Sequence, residues 1–226
     1  MESFIIRAKN VGRRFVTGKE AIDALKGINI SVEKRKLTIL KGRSGSGKTT
    51  LMNIFGALDM PTSGQVFFED EDIGLLPENS RDNLRRVNMG FVFQSVALVS
   101  MMSAYENVEF GLRVAGYNPK ERKMRSEECL GFVGLAKRMH HRPHEMSGGE
   151  QQRVAIARAI AHKPKIVFAD EPTAELDTHM GLQIVRLFKE LVEEEGITVL
   201  MTTHDPGMME IADKVFTLED GEVVDG

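Results

Sequence analysis

An α/β fold is predicted by three features of this sequence. Short apolar, β-rich segments recur at Phe4-Ile6, Ile28-Val32, Leu37-Leu40, Val66-Phe68, Gly90-Phe93, Ile166-Ala169, Thr198-Thr202 and Val215-Leu218, with helical patterns between several of them. Up to about Phe68 these segments have little helix between them except after Gly47, which predicts an antiparallel portion ahead of a parallel core. From about Ser95 to Lys163 the pattern turns helical, with blocks at Ala104-Ala115 and Lys120-Phe132, the second bounded by Pro119 and Gly134. The expected organisation is a single domain over residues 1–226. Its core comprises 1–94 and 164–226 and includes the antiparallel β portion; a mostly helical insertion occupies 95–163.

The bulk properties set limits on function. The chain has 226 residues, 42% hydrophobic and 28% charged, with a formal net charge of −3, so no global charge argument points to nucleic acid. Cys129 is the single cysteine, which excludes an intrachain disulfide, and Met-Glu-Ser-Phe-Ile-Ile-Arg at the start lacks the basic and apolar regions of a signal peptide. The expected compartment is therefore the cytosol. The longest near-apolar run, Phe91 to Met102, is too short and too polar at Gln94 and Ser95 to cross a bilayer, which takes about 20 apolar residues. Any membrane role is expected to come through a partner chain.

Taken in chain order, the first chemistry follows Leu37-Thr-Ile-Leu40, which reads as a buried strand. Gly42-Arg-Ser-Gly-Ser-Gly-Lys-Thr-Thr50 comes next and runs into the helical Leu51-Met-Asn-Ile-Phe-Gly, matching G-x-x-x-x-G-K-[ST] in a strand-loop-helix setting. Gly42, Gly45 and Gly47 let the backbone turn so that the N–H groups of the loop, through Arg43, Ser44 and Ser46, converge on phosphate oxygens. Lys48 neutralises charge there, and the Thr49 hydroxyl, ahead of Thr50, can ligate Mg²⁺. The Asn-Lys-x-Asp guanine reader is absent from the sequence, which favours ATP as the nucleotide.

Further along, Gln94 closes the strand Gly90-Phe-Val-Phe93, where a neutral amide can touch Mg²⁺ or an attacking water. Lys165-Ile-Val-Phe-Ala-Asp-Glu-Pro172 is an apolar strand ending in two carboxylates, and in open α/β sheets ligands sit at such strand ends. Asp170 suits a role holding Mg²⁺, and Glu171 suits a base for the attacking water. Ile197-Thr-Val-Leu-Met-Thr-Thr203 ends at His204; alone, a strand-end histidine is more often a polar surface residue, but beside the other motifs it can sense the γ-phosphate. The cluster Met139-His-His-Arg-Pro-His144 is not read as a metal site, because Pro143 breaks any helix that would align His140 with His144. The methionine pairs at 101–102 and 208–209 read as packing surface.

A second glycine loop, Met146-Ser-Gly-Gly-Glu150, opens a strong helical run through Gln151-Gln-Arg-Val-Ala-Ile-Ala-Arg-Ala159. Together these motifs resemble, over essentially the whole chain and in the family's order, the nucleotide-binding subunit of an ATP-binding cassette (ABC) transporter. The resemblance implies a P-loop NTPase of RecA-like core with an antiparallel β subdomain and an inserted α-helical subdomain. Gly42 to Thr50 match the Walker A loop, Gln94 the Q-loop, Ser147, Gly148 and Gly149 the signature loop, Asp170 and Glu171 the Walker B strand end and catalytic glutamate, Asp177 the D-loop, and His204 the switch histidine. Phe15 sits where the family places an aromatic ring against adenine.

The resemblance also implies that two copies associate head to tail around two ATP and Mg²⁺, each ATP lying between one copy's Lys48 loop and the other's Ser147 loop. The pair would drive an integral membrane permease from the cytoplasmic side of the membrane, with no nucleic-acid partner. Gly56-Ala-Leu-Asp-Met-Pro-Thr-Ser-Gly64, Gly90 to Gln94 and Tyr105-Glu-Asn-Val-Glu109 are most similar to the lipoprotein-release and macrolide-export branch. The cell-division ATPase, which regulates a membrane partner without moving a solute, is the alternative. The segment Ser95 to Met102 reads either as a place for a permease helix or as core packing. Met146 replaces the family's commoner leucine, a size-conserving change. Ala174-Glu175 departs from the small or polar residues usual before Leu176-Asp177, which bears on communication between the two sites rather than on hydrolysis.

Overall fold

The structure, a computed structural model, describes residues 4–18 and 20–226; Met1–Ser3 of the N-terminal stretch read above, and Lys19, lie outside the described residues. The chain opens on a long hairpin of β1 (Phe4–Thr17) and β2 (Glu20–Glu33), followed by β3 (Leu37–Lys41), α1 (Lys48–Phe55), β4 (Ser63–Phe68), β5 (Glu71–Asp72) and α2 (Glu78–Asn88). β6 (Met89–Val92) precedes three helices, α3 (Ala104–Val114), α4 (Pro119–Phe132) and α5 (Gly148–Ile160). The chain then runs through β7 (Ile166–Ala169), α6 (Thr178–Glu194), β8 (Thr198–Thr203), α7 (Pro206–Met209), β9 (Lys214–Glu219) and β10 (Glu222–Asp225).

Two sheets result. One is four-stranded in the order β2-β1-β4-β5, with antiparallel pairing throughout; the other is six-stranded in the order β10-β9-β3-β8-β7-β6, parallel except at β10. The antiparallel portion and the parallel core expected from the sequence are both present. The hairpin strands are far longer than the expected Phe4-Ile6 and Ile28-Val32. Their outer halves are exposed, with Phe15, Val16 and Ile22 facing solvent, so burial does not mark them; ladder pairing such as Phe15 with Ile22, past register shifts near Val11 and Arg13, extends the strands instead.

The central strands are buried on both faces, which is why they read as continuous apolar runs. Leu37, Ile39, Val167, Ala169, Val199 and Met201 join one core with α3 to α6, while Leu40, Ile166, Phe168 and Leu200 join the other with α1 and the antiparallel sheet. α6 was not singled out by sequence, yet it buries the stripe Ile184, Val185, Phe188, Leu191 and Val192 against this sheet.

The starts of α3, α4 and α5 follow from capping. Ser103 with Glu106, Asn118 with Glu121 and Ser147 with Glu150 each form a capping box, and Pro119 occupies the first turn of α4. Observed limits differ from the expected helical blocks by about one residue, which is the ordinary uncertainty of helix ends. Cys129 is buried on α4, and that burial pushes its thiol up to about 12, against the pull of Arg125, so it stays protonated and unreactive near neutral pH.

The two layers are tied at Glu69, whose carboxylate accepts from Lys34 Nζ at 2.7 Å and Lys165 Nζ at 2.9 Å. The Lys34 and Lys165 hydrogen bonds hold its pKa below the usual carboxylate range, outweighing partial burial. A depressed carboxylate contributes stability above its unfolded pKa and loses it as pH falls through the folded value. Glu69→Gln is therefore expected to lower the unfolding free energy by about 1 kcal/mol at pH 7. The gap in urea midpoints should narrow as pH drops through the carboxylate range; a gap constant with pH would show that the ion pairs contribute nothing.

Candidate functional site

The site forms where the parallel strands end. After β3, the loop Gly42–Gly47 turns into α1 through backbone that only glycine suits: Gly45 and Gly47 have φ of 81° and 104°. A Cβ on Gly42 would lie 2.4 Å from the Leu218 carbonyl oxygen, so β3 and β9 close in behind the loop. α1 starts on Gly47 with no side-chain cap, so its first-turn N–H groups and the positive end of its dipole serve the loop. Lys48 is only 5% exposed. Its Nζ donates to the carbonyls of Gly42 at 2.8 Å and Arg43 at 3.1 Å, which holds the ammonium inside the curl of the loop.

The acidic end of β7 lies opposite. Asp170 accepts from the Thr49 hydroxyl at 2.9 Å and from the Thr202 hydroxyl at 2.7 Å, so one carboxylate joins α1, β7 and β8. The Thr202 oxygen also accepts the Glu171 N–H at 2.8 Å. Glu171 itself has φ of 42°, a left-handed conformation that costs a side-chain-bearing residue of order 1 kcal/mol or more and clusters at functional sites. Its carboxylate lies 3.6 Å from Lys48 Nζ and 3.5 Å from His204 Nδ1. Gln94 comes from the end of β6, and the whole forms an open cleft of about 640 Å³.

Most of the sequence-predicted site residues meet here. Arg43, Ser44, Gly45, Gly47, Lys48, Thr49, Thr50, Gln94, Asp170, Glu171 and His204 line the cleft; Gly42 and the buried Ser46 shape the loop from behind. Two residues were missed. Ala24 lines the cleft from β2, and Thr202, from a fully buried strand position, donates to the Asp170 carboxylate and accepts the Glu171 backbone N–H. A buried hydroxyl in an apolar strand needs a hydrogen-bond partner, which is the signal in Thr202-Thr-His204 that could have found it.

Other predicted residues do not line the cleft. Ser147, Gly148 and Gly149 lie at the start of α5, where Ser147 Oγ accepts the Glu150 N–H at 3.3 Å and the Ser147 N–H donates to Glu150 at 2.8 Å. That Ser147 N–H holds the Glu150 carboxyl below its ordinary pKa. Asp177 caps α6, accepting the Met180 N–H at 2.9 Å. Phe15 stands on the outer half of β1, 40% exposed, with the Arg13 guanidinium 4.4 Å from its ring centre. In the histidine cluster His140 packs beside Tyr105, and Pro143 opens a short 3₁₀ turn. Met208 is buried and takes the Thr173 and Thr203 hydroxyls on its sulfur, whereas Met101 is exposed rather than packed.

A glycine loop gripping a buried lysine, placed at parallel strand ends beside Asp170 and Glu171, defines an ATPase of the P-loop class, the fold expected from the sequence. The chain belongs to the ABC transporter family, whose model matches residues 25–174. It is an ATP-binding cassette with ATPase activity.

Among relatives, it is 42% identical to an ABC transporter ATP-binding protein of Methanocaldococcus jannaschii, MJ1508, over 98% of each chain. It is also 42% identical to the macrolide export ATP-binding/permease protein MacB of Wolinella succinogenes, over 99% of this chain and 34% of that protein. The chain thus spans about a third of the length of that relative. A dimeric, post-hydrolysis structure of the M. jannaschii cassette MJ0796 bound to ADP and Pi matches with a TM-score of 0.88 at 40% identity, covering 97% of this chain and 96% of that one. CbiO1 of Clostridium perfringens, part of the transporter complex cbiONQ, matches with a TM-score of 0.89 at 31% identity, covering 99% and 88%. No helix among the described residues is long and apolar enough to cross a membrane.

Proposed function

We propose that two copies of this chain close head to tail around two ATP and drive a separate integral membrane permease of the export or lipoprotein-release type from the cytoplasmic face. The observation that carries this reading is the separation of the two glycine loops: Gly42–Thr50 borders the cleft, whereas Ser147–Gly149 stands outside it. A second copy supplies the missing half. The dimeric relative bound to ADP and Pi supports the arrangement. The name of MacB, which joins ATP-binding and permease functions, supports the membrane partner. In this reading residues 95–163 form a helical unit that carries the Ser147 loop, and 1–94 with 164–226 form the catalytic body.

The roles follow from charge and placement. The loop N–H groups and Lys48 bind the β- and γ-phosphates. Glu171 accepts a proton from the attacking water as it adds to the γ-phosphorus and the bond to the leaving ADP oxygen breaks. His204, beside Glu171, contacts the γ-phosphate, and Gln94 orients the water. Asp177, at the cap of α6, lies in the segment that faces the other copy. Phe15 keeps one face for adenine while Arg13 covers the other.

Mg²⁺ fits the Thr49 hydroxyl and Asp170 carboxylate. They are hard oxygens already 2.9 Å apart, and this ion is held by one or two protein oxygens together with phosphate and water. Gln94 completes the set. Held there, the ion would supply positive charge that offsets the negative charge developing on the transferred phosphate.

Mixing a Ser147→Arg protein with a Lys48→Ala protein tests the shared site. In a mixed pair one site carries both lesions and the other neither, so ATPase activity is expected to rise above that of either mutant alone. Activity that stays at the level of the separate mutants would overturn the head-to-tail arrangement.

A further inference from the structure

The segment that follows Gln94 is held in an unfavourable backbone conformation. Ala97 has φ of 47°, the left-handed region that costs an L-residue roughly 1–2 kcal/mol, so a neighbour must hold it there. The neighbour is Arg158 on α5. Its Nη1 donates to the Ala97 carbonyl at 2.7 Å and its Nη2 to the Val96 carbonyl at 3.3 Å, a fork that matches two successive carbonyls. The arginine stem passes α3 at Gly111, where a Cβ would sit 3.3 Å from Arg158 Cγ. That glycine leaves room for the reach.

α5 gives this grip a longer consequence. Ser147 caps its N-terminus, and Arg158 stands about three turns further along the same helix. Between them Gln152 and Val154 to Ala157 are buried, so the helix is packed along its length and moves as one piece. One end carries the loop that meets the other copy's phosphate. The other end holds the backbone beside Gln94.

We propose that Arg158 is a positioning residue for ATP hydrolysis. By gripping the Val96 and Ala97 carbonyls it sets where Gln94 stands in the cleft, and through α5 it ties that position to the state of the Ser147–Gly149 loop. The inference rests on the roles given above to Gln94 and Ser147.

The test compares kcat and KM for wild type, Gln94→Ala, Arg158→Met and their combination, with Arg158→Lys as a milder change that keeps stem and charge. Arg158→Met is expected to lower kcat about tenfold with KM within about twofold of wild type, and to add nothing further in the Gln94→Ala background. Arg158→Lys should fall between wild type and Arg158→Met. Adding Ala97→Gly to Arg158→Met should restore part of kcat, because glycine takes a positive φ without the steric cost.

Fully additive losses in the Gln94→Ala background would overturn the proposal. So would an unrescued Arg158→Met whose melting temperature and kcat fall together, since that pattern marks a role in packing alone. If Gln94→Ala by itself keeps the wild-type kcat, the role of Gln94 fails; the Ala97→Gly rescue then decides whether the Arg158 grip stands.

Discussion

Glu171→Gln is expected to lower kcat for ATP by about 10²- to 10⁴-fold while leaving ATP affinity close to wild type, the size of loss typical of a removed general base. The amide keeps the shape of the carboxylate but cannot take a proton from water near neutral pH. Its setting limits side effects. The Glu171 N–H stays bonded to Thr202, and its backbone stays left-handed, because neither depends on the carboxylate. With turnover blocked, the ATP-bound pair should accumulate as a dimer in size exclusion and return to monomer without nucleotide. A variant that hydrolyses ATP at the wild-type rate would remove Glu171 from the role of base.

Lys48→Ala should act at the earlier step. Its ammonium is nearly buried and satisfied by the Gly42 and Arg43 carbonyls, so truncation removes a charge aimed at phosphate and loosens the loop that it holds. Charge-assisted hydrogen bonds are worth about 1.5–3 kcal/mol, which predicts a loss of ATP affinity of roughly 10- to 100-fold. Titration with a fluorescent nucleotide reads the loss, and a melting curve separates it from unfolding. Unchanged affinity would count against the loop as the phosphate site. The two variants thus divide the work of one cleft: Lys48 acts before chemistry and Glu171 during it.

How much of this could be read before the fold was seen depended on residue type. The phosphate loop was legible because glycines, Lys48 and Thr49 must stand at fixed spacing to curl around an anion, so the spacing itself is the signal. The carboxylates at 170 and 171 were legible because they end a short apolar, β-rich run in a chain that also carries a phosphate loop. Thr202 was not singled out. A threonine in a strand is ordinary until the Asp170 carboxylate and the Glu171 N–H are seen to converge on its hydroxyl. The outer hairpin is longer than its apolar segments indicate because backbone pairing, not burial, extends it, whereas the apolar stripe of α6 does carry a helical period in the sequence itself.

By itself, then, the sequence determined the class of chemistry, the α/β class of the fold and the family, since these depend on residue types at short spacings along the chain. Only the tertiary structure decided which distant residues share an atom's reach. The Thr202 hydroxyl between two carboxylate-bearing residues, Glu171 set between Lys48 and His204, and Arg158 gripping the strained Ala97 are all contacts between elements far apart in sequence. The parallel register of β3, β7 and β8 brings their ends to one edge, and packing of α5 against the helices beside it carries Arg158 to its carbonyls. Such contacts leave no local spacing to read, because burial of both sheet faces places them rather than any preference of the chain nearby.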